Sequence, residues 1–144
     1  MNWGYRNVLA GLALMAAAGC GSGKTIGTTV ATTTANIDFE TQIQPIFTRN
    51  CALTGCHAAD TASAGQILDD GQAYRNLVNV TSTEVPPEKR VAPSDSAHSY
   101  LYEKLTHAQP ASGGQMPLGA NPLPSDQIAL IKTWIDQGAK ASAK

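Results

Sequence analysis

The sequence predicts an all-α fold, in which one small helical domain follows a signal peptide for export and a polar linker. Apolar residues recur at intervals of three and four in several stretches, which is the spacing of one helix face. No stretch alternates apolar and polar residues strongly enough to predict a β-sheet. The formal net charge is −1 and there is no basic patch, so nucleic acid is not an expected partner.

Residues 1–19 have the pattern of a secretory signal peptide of the lipoprotein type. Arg6 precedes an apolar run over residues 8–18, and this run of about eleven residues is too short to span a membrane. Cys20 stands where a bacterial lipoprotein carries its acylated cysteine. We therefore expect an exported protein, periplasmic or attached to the outer membrane. Cleavage among the preceding alanines is the alternative, and it would remove Cys20 or leave it as a spare thiol.

Residues 20–36 consist mainly of glycine, serine, threonine and alanine, with one charge at Lys24. Such a segment cannot bury a core, so it is expected to be a flexible tether. The tether leads into a single domain over residues 37–140, which is long enough for one hydrophobic core. Residues 141–144 form a tail.

Two helices are expected in the first half of the domain. The stretch from Phe39 to Phe47 carries apolar residues at helical spacing. Pro45 favours a start of the regular helix at that point, because proline is accepted in a first turn. The second helix is predicted over residues 70–79, with Asp70 as its N-cap.

Between these helices, residues 51–57 read Cys-Ala-Leu-Thr-Gly-Cys-His, a wide-spaced form of the motif for covalent haem attachment. In that chemistry the thiols of Cys51 and Cys56 add to the haem vinyl groups, and His57 is the proximal ligand of the iron. The usual gap between the cysteines has two residues, and here it has four. A Cys51–Cys56 disulfide is the alternative, although two thioethers and an acylated Cys20 would leave no cysteine unpaired. Zinc and iron–sulfur clusters need more ligands than the chain offers.

Two further helices are predicted after the motif. The stretch 95–106 places apolar residues four apart on one face. The last helix is expected to start at a capping Ser125 and to end before Gly138. Its expected buried face consists of Ile128, Ile131, Trp134 and Ile135.

The turn-rich segment 113–119 lies between the last two helices and contains Met116. Met116 is the one methionine left once Met1 and Met15 leave with the signal peptide. A thioether opposite His57 gives the histidine/methionine coordination of many electron-carrying cytochromes, so Met116 is the expected distal ligand. A methionine that only fills a gap in the core is the alternative.

Two other histidines compete for the distal position, in a bis-histidine centre of lower potential. His107 follows the third helix, where an imidazole commonly caps the last carbonyls. His98 lies in the first turn of that helix and is expected to face solvent. Arg90, Tyr74 and Tyr100 could donate to haem propionates, but each fits equally well at the core edge or the surface.

Several short motifs follow one another in an order typical of one protein family. They are Ile43 to Phe47, Cys56-His57, Arg90 to Pro93, Ser99 to Leu101 with Lys104 and Leu105, Gln115 to Gly119, and Ile131 with Trp134 to Ala139. In this order they resemble a monohaem c-type cytochrome of class I, especially the small planctomycete-type domains. The resemblance implies a cytochrome c-like helical fold around one covalent haem c, with the first and last helices crossing beside it. Gln115 departs from the pattern, because relatives often have arginine there.

The motif and the resemblance predict a single-electron carrier, tethered to a bacterial membrane through a lipid on Cys20. Its expected partners are other redox proteins. No serine, acid or cysteine stands in a recognisable nucleophile arrangement, so an enzyme is not expected. Two alternatives are a haem-based module that binds or senses a small ligand in place of Met116, and a haem-free, disulfide-closed lipoprotein.

Overall fold

The computed structural model describes residues 35–142, so the predicted signal peptide, Cys20 and most of the tether lie outside the described residues. Within residues 35–142 the chain is helix-dominated and has only isolated β-bridges, which confirms the all-α prediction at this coarse level. The helices are α1, Gln44–Asn50; α2, Ala73–Leu77; α3, Tyr100–Thr106; and α4, Ser125–Asp136. A turn of π-helix, Phe39–Ile43, precedes α1, and a short 3₁₀ turn, Ser63–Gly65, precedes α2.

The chain enters α1 through the π-helical turn, in agreement with the expected effect of Pro45. Asp38 Oδ1 accepts a hydrogen bond from the Thr41 N–H at 2.9 Å and so caps the π-helical turn. Pro45 lies in the first turn of α1, where its missing N–H removes no helical hydrogen bond. The buried side chains of this region are those of Phe39, Ile43, Gln44, Ile46 and Phe47.

The second helix is shorter than predicted at its N-terminal end. It begins at Ala73 and not at Asp70, so the prediction of Asp70 as its N-cap was wrong. Gly71 has a φ of +69°, a left-handed conformation that interrupts a right-handed helix at this point. The N–H groups of Gln72 and Ala73 both donate to the Asp69 carbonyl in the turn that precedes α2.

The third helix also begins later than predicted, at Tyr100 and not near residue 95. The N–H groups of Tyr100 and Leu101 donate to the carbonyls of Lys89 and Arg90, each at 2.9 Å. These two N–H groups are therefore not available to a preceding helical turn. The left-handed backbone of Ser94, with φ +66°, further separates this region from a regular helix.

The last helix matches its predicted extent but not its predicted cap. Ser125 is the first residue of α4, and no side chain caps this helix. The helix ends at Asp136, and Gly138 follows with a φ of +101° while its N–H donates to the Ile135 carbonyl. On the predicted face Ile131, Trp134 and Ile135 are buried, and Ile128 is half-buried.

An aromatic cluster joins the two ends of the domain. The ring of Phe39 lies 5.2 Å from that of Trp134, 5.3 Å from that of Tyr74 and 6.2 Å from that of Phe47, measured between centroids. The Trp134 indole N–H donates to the Lys140 carbonyl at 2.9 Å, so the buried ring has no unpaired polar atom. The π-helical turn and α4 thus share one core.

Asp136 links the end of α4 to the turn before α3. Its carboxylate accepts hydrogen bonds from the Lys132 ammonium at 2.6 Å and from the Ser96 N–H at 3.1 Å. Partial burial acts to raise the pKa of Asp136, but these hydrogen bonds outweigh it and hold the pKa below its ordinary value. Such a carboxylate stabilises the folded state at pH values above the pKa that it has in the unfolded chain. This contribution is lost as the pH falls through the pKa that it has in the folded chain.

We expect Asp136→Asn to lower the free energy of unfolding by about 0.5 kcal/mol at neutral pH, a small effect because the pair is partly exposed to solvent. The difference from the unsubstituted chain should disappear in acid, once the pH has fallen well below the lowered pKa of the folded chain and the carboxylate is protonated in both states. Urea unfolding at both pH values measures this. If Asp136→Asn lowers the free energy of unfolding by the same amount in acid, the lost contact is not electrostatic.

Candidate cofactor-binding site

The loop between the two domain cysteines closes on itself directly after α1. Cys51 is the C-cap residue of α1, and its N–H donates to the Phe47 carbonyl at 2.8 Å. The N–H of His57 donates back to the Cys51 carbonyl at 3.0 Å, and that of Cys56 to the Leu53 carbonyl at 2.8 Å. Gly55 supplies the left-handed turn, with φ +84° and open space where a Cβ would lie. The backbone therefore accommodates a four-residue gap between the cysteines in a compact turn.

The two cysteines of this loop differ in exposure. Cys51 is half-buried, Cys56 is exposed, and both are free thiols. Burial, with a smaller contribution from the neighbouring Cys56, raises the pKa of the Cys51 thiol to about 12. Because the thiolate is the reactive form, Cys51 is the less reactive thiol while the domain is folded.

We expect the haem-free chain to be alkylated at Cys56 well before Cys51. After allowance for the greater nucleophilicity of a more basic thiolate, Cys51 should react on the order of a hundredfold more slowly than an ordinary exposed thiol near pH 8. Iodoacetamide labelling followed by peptide mass mapping measures each rate, and the urea-unfolded chain is the control in which the two rates converge. Equal rates in the folded chain would contradict the burial of Cys51.

The imidazole of His57 is oriented by backbone carbonyls. Its Nδ1 lies 3.2 Å from the Ser63 carbonyl oxygen and 3.3 Å from that of Gln66. A carbonyl only accepts, so Nδ1 carries the proton in a neutral ring and Nε2 keeps a free lone pair. This is the arrangement that fixes the tautomer of metal-ligating histidines. The His57 carbonyl in turn accepts from the Leu68 N–H at 2.8 Å, which fixes the backbone beside the ring.

One cavity of about 550 Å³ brings the predicted site residues together. Cys51, Cys56, His57 and Met116 all line it. This volume is typical of a pocket for a small organic ligand or cofactor. Most of the remaining wall is apolar, and it includes Phe47, Leu68, Leu101 and Leu105.

Met116 reaches this cavity from a segment that contains no helix or strand. Residues 107–124 connect α3 to α4 through turns and bends, as the glycines and prolines predicted. The Met116 N–H donates to the Lys104 carbonyl at 2.7 Å, and its half-buried side chain packs against the core. The structure thus places the one described methionine and His57 on the wall of the same cavity.

Charged side chains line part of the cavity wall. Arg90 is 6% exposed, and its guanidinium donates to the carbonyls of Asn76 and Ala64, each at 2.9 Å. Burial lowers the pKa of Arg90, while the charge of Glu84 acts in the opposite direction. Lys104 is also 6% exposed, with its Nζ 3.7 Å from Glu84 Oε1. Two buried cations therefore share the wall with one carboxylate, which leaves a net positive charge there.

Lys104 belongs to the motifs noted in the sequence but was not predicted as a site residue. Its signal was its position, because Leu101, Lys104 and Leu105 lie at helical spacing on one face of α3. A lysine within such an apolar stripe is buried together with it, and buried lysines are rare unless paired. Of the tyrosines considered, Tyr100 lines the cavity, whereas the Tyr74 hydroxyl donates to the Ala139 carbonyl inside the core.

The competing histidines lie outside the cavity wall. The side chain of His98 is 80% exposed and lies 2.7 Å from Asp95 Oδ2. His107 is exposed directly after α3, with Nδ1 3.3 Å from the Glu103 carbonyl, in agreement with its expected capping position. Neither residue lines the cavity on which His57 and Met116 lie.

Residues 35–142 hold no group of three or more histidine, cysteine, aspartate or glutamate side chains able to bind a metal ion. His57 and Met116 together are not a group of this kind, because a methionine is not one of these four side chains. In the same part of the chain no helix is long and apolar enough to cross a membrane.

Comparisons with family profiles, curated proteins and solved structures gave no match.

Proposed function

We propose that this chain is a monohaem c-type cytochrome that carries single electrons between other redox proteins. The observation that carries the proposal is the cavity on which Cys51, Cys56, His57 and Met116 meet, with His57 Nδ1 held by carbonyls. The two thiols supply the covalent attachment, and the two other side chains supply the axial donors. In this assignment the haem-attachment motif and the one methionine of residues 35–142 serve one site.

The residues present fit a haem c. His57 presents a free Nε2 lone pair, and Met116 presents a soft thioether, which together favour the ferrous state. A bound haem supplies the one-electron chemistry between its ferric and ferrous states. The buried cations Arg90 and Lys104 suit the two propionate groups, since carboxylates in an apolar wall need positive partners.

The wall suits a carrier of electrons better than an enzyme. With a cofactor in the cavity, its apolar residues would exclude most water from the two axial donors. At the rim, the exposed Cys56 and the 71% exposed Leu118 would leave one cofactor edge close to the surface, where a partner can approach. In the proposed arrangement, a lipid on Cys20 holds the domain at the periplasmic side of a bacterial membrane, and residues 20–36 act as the tether.

Expression of the full chain with a cytochrome maturation system tests this proposal. We expect a red protein whose haem stays attached after denaturation in acid organic solvent, which distinguishes thioethers from a dissociable haem. A colourless product with a Cys51–Cys56 disulfide would favour the haem-free lipoprotein. Carbon monoxide binding to the reduced protein at low concentration would favour the sensing module. The intact mass of the membrane fraction tests Cys20, because acylation adds several long chains.

A further inference from the structure

Helix α3 is connected to the segment that carries Met116 by several hydrogen bonds, from Tyr100 at its start to Leu105 near its end. This segment, residues 111–116, is called the distal segment below. It has no helix or strand of its own, so its position depends on contacts with neighbouring elements. The donors and acceptors on α3 are Tyr100, Glu103, Lys104 and Leu105.

One end of the distal segment occupies carbonyls that α3 itself cannot use. The last four carbonyls of any α-helix lack a partner within the helix. The Met116 N–H donates to the Lys104 carbonyl at 2.7 Å, and the Gln115 side-chain amide donates to the Leu105 carbonyl at 2.9 Å. Gln115, which departs from the arginine of similar domains, therefore has a structural partner in this chain.

The other end is held at two points, the Ala111 N–H, which donates to the Glu103 carboxylate, and the Ser112 carbonyl oxygen. The Ser112 carbonyl accepts from the Tyr100 hydroxyl and from Lys104 Nζ, each at 2.9 Å. Tyr100 is 3% exposed and Lys104 is 6% exposed, so both bonds are shielded from water. Gly113 follows with a φ of +64°, and a Cβ there would lie 3.0 Å from Lys104 Nζ. The glycine thus permits the close approach of the segment to the lysine.

The geometry points to Tyr100 and Lys104 as positioning residues, which keep the Met116 thioether at the cavity by fixing the Ser112 carbonyl. This inference rests on the proposed function, because it gives Met116 the role of distal ligand. The single hydroxyl proton of Tyr100 is directed at Ser112 and not at the cavity. When these bonds are broken, the distal segment should move away more often, and the distal side of the cofactor should become open to an external ligand.

Binding of imidazole to the oxidised holoprotein measures this opening. Imidazole can bind only after Met116 has left, so its apparent affinity rises in proportion to the population of the open form. We expect Tyr100→Phe to raise this affinity about fivefold, the factor that one neutral hydrogen bond contributes. Lys104→Met should raise it about tenfold or more, because its bond carries a charge. In parallel, hydrogen exchange of the Met116 N–H should accelerate in both variants.

Two controls separate positioning from general loss of stability. Tyr102→Phe removes a hydroxyl from the same helix that makes no hydrogen bond within residues 35–142, and it should leave imidazole affinity unchanged. Ile131→Val lowers the unfolding midpoint from a core position that does not line the cavity, and it should also leave imidazole affinity unchanged. Tyr100→Phe alters no charge, so it keeps the test valid if Lys104→Met does not fold.

The outcomes distinguish the inference from the proposed function. A wild-type protein without covalent haem overturns the proposed function and the ligand role of Met116 with it. Covalent haem in the wild type, with the same imidazole affinity and the same Met116 exchange rate in Tyr100→Phe and Lys104→Met, overturns the inference alone. Equal gains in affinity in Ile131→Val would also overturn it, because the effect would then follow global stability.

Discussion

Replacement of Met116 by alanine is expected to leave the haem attached and to lower the reduction potential by on the order of 100 mV or more, since axial ligands set haem potentials over about 0.8 V. The thioether favours ferrous iron, and the other sulfur atoms on the described cavity wall, those of Cys51 and Cys56, would be bonded to the haem vinyl groups. The far-red charge-transfer band of a sulfur–iron bond, expected in the oxidised wild type, should disappear in the variant. Potentiometric titration and absorption spectroscopy measure the two effects.

Leu118→Ala is a matched control for this substitution. Leu118 follows Met116 by two residues and lines the same cavity, but its side chain is 71% exposed and has no donor atom. The charge-transfer band should therefore survive in this variant. If the band persists in Met116→Ala, or is absent from the wild type, Met116 is not the ligand. His98 and His107 would then be the donors to test, although both lie off the cavity wall.

The sequence indicated how many helices the domain has, but not where two of them begin. Helical spacing was sufficient for the existence of all four, because it depends only on local apolar pattern. The start of α3 depends on the Lys89 and Arg90 carbonyls, which take the N–H groups of Tyr100 and Leu101. The start of α2 depends on a left-handed Gly71. Neither feature leaves a periodic signal in the sequence.

The site was predictable where a residue type is chemically distinctive. A cysteine pair followed by histidine is rare, and Met116 is the one methionine after the predicted signal peptide, so Cys51, Cys56, His57 and Met116 could be proposed together. The partners of these residues were not predictable in the same way. Any residue can offer a carbonyl, so nothing marks Ser63 or Gln66 as partners of His57 before the chain is folded. The burial of Arg90 and Lys104 likewise depends on which elements pack around them.

The largest expected effect on stability is that of Trp134→Ala, about 4 kcal/mol of unfolding free energy. Trp134 is 1% exposed, and its ring packs against Phe39 where the π-helical turn meets α4. Its replacement leaves a large cavity there and also removes the hydrogen bond to the Lys140 carbonyl. A domain of this size is stable by roughly 5–15 kcal/mol, so the variant should lie near the limit of folding.

Guanidinium unfolding of the same holoprotein, wild type and variant, measures this loss without a change in bound cofactor. Trp134→Phe is the matched control, because it keeps an aromatic ring beside Phe39 and loses mainly the indole hydrogen bond and part of the ring volume. Its cost should be roughly half that of the alanine variant. A loss below about 1 kcal/mol in Trp134→Ala would contradict a shared core. The π-helical turn and α4 would then be stabilised independently of each other. The loop of residues 51–57 after α1 would in that case be held only by its local hydrogen bonds.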